Sequence, residues 1–147
     1  MSMRAIDEPI PDDERLFRTV TLDDVLGDFL RETSVDLQGM SMFRQKYCAT
    51  AAEALKRSQA RGRTDSGVVV VSPACLPPPI TLSNGSECEA IALDAPSLTE
   101  DNAHAEVRTR RTSDRPNQEA WRPKSPAAKL ELKHWLARKM RVEIVPT

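Results

Sequence analysis

Gly67-Val68-Val69-Val70-Val71-Ser72 sets four consecutive β-branched residues between a glycine and a serine. The branched Cβ atoms stiffen χ1 and favour a pleated backbone over a helix. An unbroken apolar run, unlike an alternating one, predicts burial on both faces, so this segment is expected in the middle of a sheet. Pro73 ends it, and Leu76-Pro77-Pro78-Pro79 cannot donate to a ladder, which makes the next segment an extended polyproline connection.

Downstream, Asn84-Gly85 lies between Ile80 to Leu82 and the alternating Cys88 to Leu93, the pattern of a β-hairpin. Asp101-Asn102-Ala103-His104-Ala105-Glu106-Val107-Arg108 reads as a further strand. From Thr109 to Lys124 the chain is polar apart from Trp121, with Arg110, Arg111, Arg115 and Arg122, and is expected as an exposed basic loop inserted in the domain. Ser125 and Pro126 form a cap and a first helical position, followed by an apolar face of Ala128, Leu132, Trp135, Leu136 and Met140. Trp135 is expected to be largely buried against the Val68 to Val71 strand or its neighbours. Arg141 to Val145 closes as a short strand.

Upstream, residues 1–13 carry Pro9, Pro11 and several acidic side chains without an apolar period, and read as a flexible acidic arm. Arg15 to Val20 reads as a strand. Thr21 with Asp24 resembles an N-cap, and Leu22, Val25, Leu26, Phe29 and Leu30 recur at helical spacing, predicting a helix from Leu22 to Glu32 that Gly27 weakens. Ser34 to Met42 reads as an extended loop, with Met40, Met42 and Phe43 as adaptable bulk. Thr50-Ala51-Ala52-Glu53 is a capping box, and the helix it starts should stop before Gly62. The expectation is therefore a single α+β domain over residues 14–147, with about five mixed or antiparallel strands and three helices packed on the sheet.

The composition narrows the function classes. Cys48, Cys75 and Cys88 are odd in number and without close spacing, the opening residues are polar, and no apolar run approaches a membrane span; the expectation is a cytoplasmic protein with reduced thiols and no membrane association. Neither a zinc pattern nor a phosphate-cradling glycine loop is present in the sequence, so no metal or cofactor is assigned. Charge is uneven: residues 1–37 hold ten acidic and four basic side chains, residues 108–141 three acidic and eleven basic.

On a strand, residues two apart share a face, so His104 and Glu106 project together and form a candidate acid/base pair. The basic residues Arg108, Arg110, Arg111, Arg115 and Arg122 surround Trp121, a stacking ring among cations; this is a candidate docking surface for a larger protein and, second, for nucleic acid.

Arg18, Ser41 and the His104-x-Glu106 pair, in that order, resemble the arginine, serine and late glutamate of mono-ADP-ribosyltransferases. The resemblance implies Arg18 and Ser41 as NAD-holding residues and Glu106 as the residue that orients the ribose. A wider pattern (Arg15-Leu16-Phe17-Arg18, Ser41-Met42-Phe43, a Gly-Val strand, Asp101 to Ala105 and a terminal basic helix) is similar to a set of small uncharacterised bacterial proteins, which implies a bacterial origin and no activity. Two readings follow: an accessory subunit that docks on a larger protein partner, or a small nucleotide- or nucleic-acid-directed enzyme using Arg18, His104 and Glu106. Convergence of those three side chains on a concave pocket favours the enzyme; a flat exposed apolar patch favours docking.

Overall fold

The computed structural model describes residues 8–76, 78–95, 102–113 and 121–147. Among them are β1 (Leu16–Val20), β2 (Val25–Leu26), β3 (Phe29–Leu30), β4 (Met40–Arg44), α1 (Ala51–Ala60), β5 (Gly67–Val71), β6 (Ile80–Thr81), β7 (Glu87–Asp94), β8 (His104–Arg111), α2 (Pro126–Ala137) and β9 (Arg141–Ile144). The strands form one nine-stranded antiparallel sheet in the order β2-β3-β9-β5-β1-β4-β8-β7-β6, curled into a half-barrel. The expected sheet of about five strands with three helices is thus corrected to nine strands and two α-helices among the described residues.

The valine run behaves as its composition demands. β5 lies between β9 and β1, with Val68 in one apolar cluster and Val69 and Val71 in the other. The larger cluster joins Leu16, Val20, Met40, Met42, Ala105 and Val107 to Leu132 and Leu136 of α2; the smaller joins Phe17 and Val68 to Ala51 and Ala54 of α1. β1 alternates between the two, so each helix covers its own side of the sheet.

Both helices begin where their caps predict. Thr50 Oγ1 accepts the Glu53 backbone N–H at 3.1 Å, while Glu53 reaches back to the N–H of Ala49 at 3.0 Å. Ser125 Oγ accepts from Ala128, with Pro126 at the first helical position. Trp135 is half-buried against the larger cluster, less enclosed than expected.

The helix expected over Leu22 to Glu32 does not form. Thr21 and Asp24 do bond to each other, but the turn they start stops after Leu22–Asp24. Gly27, at φ +62°, and Asp28 make a two-residue loop that pairs Val25 with Leu30 and Leu26 with Phe29. The hairpin then bonds to the C-terminal strand through Leu30 N–H to Met140 O (2.9 Å) and Val142 N–H to Asp28 O (2.8 Å). Backbone pairing with β9 outweighs helical spacing here, because a left-handed glycine suits a tight hairpin loop and weakens a helix.

The loop expected over Ser34 to Met42 ends early, in strand β4, whose Met40 and Met42 are buried in the core. Thr109 to Arg111, expected in the basic loop, belong to β8. Thr109 is fully buried; its Oγ1 lies 2.9 Å from the carbonyl of Leu37 and 2.8 Å from that of Trp121. Residues 114–120 of that loop and residues 1–7 of the acidic arm lie outside the described residues.

From Glu8 onward the arm is tied to the sheet. Arg44 is fully buried and holds Glu14 with two bonds of 2.8 Å, Glu8 at 3.0 Å and Asp94 at 3.1 Å. Burial alone lowers the pKa of this guanidinium, but bonds to Glu14 and Asp94 outweigh that and raise it.

Candidate functional site: a cleft where two strands part

β1 and β4 pair only at Leu16↔Arg44 and Phe17↔Phe43, then separate. Across the parting Arg18 reaches from β1, its Nη1 donating to the backbone carbonyl of Ser41 at 3.1 Å. A cleft of about 380 Å3 opens there, lined by Arg18, Ser41, Phe43, Arg61, Arg63 and His104, with Asp36 and Gly39 completing one wall.

Arg18 is half-buried, and the desolvation this brings lowers its pKa. Asp24, Asp36 and Asp65 offset part of that at a distance, yet among the described residues no carboxylate stands within ion-pair distance of its guanidinium. Arg63 is held at the cleft by Asp65, whose Oδ2 also accepts from Thr19 and Ser58, each at 2.7 Å. Burial would raise the Asp65 pKa; these three donors outweigh it and bring it below the ordinary carboxylate value.

His104 stands at the start of β8, 7% exposed, beside β4. Its Nδ1 lies 2.8 Å from the carbonyl oxygen of Ala95, which only accepts, so Nδ1 carries the proton. In the neutral ring Nε2 is then an acceptor. Ser41 Oγ lies 3.2 Å from it and donates, while Ser41 itself is exposed. The set is a serine hydroxyl aimed at a histidine whose tautomer is fixed from behind, the arrangement that activates a hydroxyl as a nucleophile.

Of the three residues expected to converge, Arg18 and His104 line the cleft and Glu106 does not. Glu106 pairs with Ser41 across the β4–β8 ladder, forms an ion pair with Arg108 at 3.2 Å and packs on Gly39. A Cβ at Gly39 would stand 3.1 Å from Glu106 Oε2, and the residue sits at φ +155°, so glycine is required where the wall meets this carboxylate. Ser41 was reached in sequence only through the ADP-ribosyltransferase resemblance. Arg61 and Arg63 carry no site signal in the sequence, because they follow α1 and read as ordinary cations at a helix end.

Several of the proposed docking residues are already engaged within the chain. Arg108 pairs with Glu106, and Arg110 places Nε and Nη2 each 2.9 Å from Glu89 Oε1. Arg111 and Arg122 are exposed, and Arg115 lies outside the described residues. Trp121 packs against the larger cluster and its N–H donates to Thr109 O.

Among the described residues no group of three or more His, Cys, Asp or Glu stands together to hold a metal, and no helix is long and apolar enough to cross a membrane. No family model, curated protein or solved structure matches the chain.

Proposed function

We propose that the cleft between β1 and β4 binds a phosphorylated small molecule, a nucleotide in the first instance, and that the protein belongs with the small nucleotide-directed enzymes. The observation that carries this reading is the guanidinium of Arg18, half-buried with no carboxylate among the described residues paired to it, at a cleft that Arg61 and Arg63 also line. Removing a cation from water without a paired anion is costly, so such a group is completed by an anionic ligand. The ring of Phe43 in the lining offers a face for a base, and the volume of about 380 Å3 falls within the ~300–1,000 Å3 of small-molecule sites. Docking by the methionine-rich segment or by Trp121 has less support, because Met40, Met42 and Trp121 pack into the larger core cluster.

Calorimetric titration with ADP tests the proposal. A charge-assisted contact contributes about 1.5–3 kcal/mol, so Arg18→Gln is expected to weaken ADP binding about 10- to 150-fold, with the thermal midpoint retained. Absence of ADP binding by the native protein, or an affinity unchanged in Arg18→Gln, overturns it.

A further inference from the structure

Resting on that reading of the cleft, we infer that Ser41 is a nucleophile and His104 its general base, and that the substrate is an acyl group carried on a phosphate, a mixed acyl–phosphate anhydride. Three atoms set the direction of proton flow: Ala95 O fixes the proton on Nδ1 at 2.8 Å, Nε2 is left with its lone pair, and Ser41 Oγ donates to it at 3.2 Å from a position open to solvent. The histidine is anchored in a buried site while the serine faces the cleft, which is the division of exposure a nucleophile and its base need.

The identity of the leaving group follows from what stands behind the ring. A carboxylate in that place stabilises the imidazolium and is worth on the order of 10^4-fold in serine proteases. Here the partner is a neutral carbonyl, which stabilises the imidazolium less than a carboxylate does, so the site suits an already activated acyl group whose leaving group is good. A phosphate leaves as an anion, and Arg18, with Nη1 only 3.1 Å from the carbonyl of Ser41 itself, stands beside the reacting atoms to receive that charge.

In the first step the Ser41 Oγ–carbon bond forms, the carbon–oxygen bond to phosphate breaks, Nε2 takes the hydroxyl proton, and phosphate leaves with the bonding electron pair. The imidazolium then releases that proton to solvent; in the second step water loses a proton to the freed Nε2 as its oxygen bonds to the acyl carbon, the Oγ–carbon bond breaks, Oγ takes that proton from the imidazolium, and a carboxylic acid is released.

The test uses acetyl phosphate as the probe and p-nitrophenyl acetate as the same acyl group without phosphate, with peptide mass mapping of the acetylated residue. The expected result is acetyl-Ser41 formed from acetyl phosphate, more slowly in heavy water, with Arg18→Gln suppressing this reaction at least tenfold more strongly than it suppresses acylation by the nitrophenyl ester. His104→Gln should suppress acylation by both reagents; the heavy-water effect on the native protein reports general-base transfer even if that variant fails to fold. Acetylation confined to lysines, or Ser41 acylated by the nitrophenyl ester alone, overturns the inference. ADP binding that persists in either of those cases leaves the proposed ligand class standing, so the two failures are distinguishable.

Discussion

Two side chains illustrate how much of this molecule is decided by partners far away in sequence. Thr109 lies in what reads as a polar, arginine-rich loop, yet its buried hydroxyl, with one proton to donate, stands within bonding distance of the carbonyls of both Leu37 and Trp121. Thr109→Val keeps the shape and removes the hydroxyl donor, leaving Leu37 O with the Thr109 backbone N–H but Trp121 O without this partner, so urea denaturation should show a loss of about 1–3 kcal/mol. A midpoint equal to the native one would show that the carbonyls find other partners. Glu8 makes the complementary case. Hydrogen bonds from Lys46 and then Tyr47 hold its pKa down to about 2, below the ordinary 4.5. Because the folded-state value is depressed, the contribution is fully present above pH 4.5 and is lost as pH falls toward 2. Asp24 and Asp65 are lowered in the same sense. Thermal melts from pH 6 to 2 should therefore fall across that window, and Glu8→Gln should flatten the fall; an identical pH profile in the variant would mean that Glu8 is not linked to folding.

At the scale of elements, the segments that follow their local signals are those whose signals are backbone chemistry. The Thr50 and Ser125 caps start α1 and α2, the Asn84-Gly85 turn joins β6 to β7, and the valine run is buried on both faces. Leu22 to Leu30 departs from its apolar spacing because that spacing carries no information about Met140 and Val142, whose backbone groups capture the hairpin. β4 was hidden by Arg44, a charge that reads as surface until Glu8, Glu14 and Asp94 are seen to surround it. Gly67 supplies the test at this scale. A Cβ there would meet Ile144 O at 2.6 Å and the Pro146 ring at 2.7 Å, so the backbones of β5 and β9 would have to separate. Gly67→Ala is expected to destabilise by about 1–3 kcal/mol, with amide exchange accelerating first in β9 and the β2–β3 hairpin. Uniform acceleration across the sheet, or none, would refute the local mechanism.

For the molecule as a whole, the uneven charge of the sequence is partly consumed internally. Glu32 meets His134, and Asp36 shares a small cavity with Arg122, Lys129 and Lys133. The cleft itself was only half legible. Arg18 and His104 stand out as residue types, but their meeting depends on β1 and β4 parting after two residue pairs, and nothing near either residue encodes that. The position of β9 carries a different consequence, one of timing. β9 is the last strand in chain order, yet it sits inside the sheet, bridging the β2–β3 hairpin to β5. While the polypeptide is being made, that slot stays vacant until Arg141–Ile144 has emerged from the ribosome, and the early hairpin has no neighbour to dock on. Nascent chains halted before Arg141 should remain sensitive to protease, acquiring resistance abruptly when this strand clears the exit tunnel.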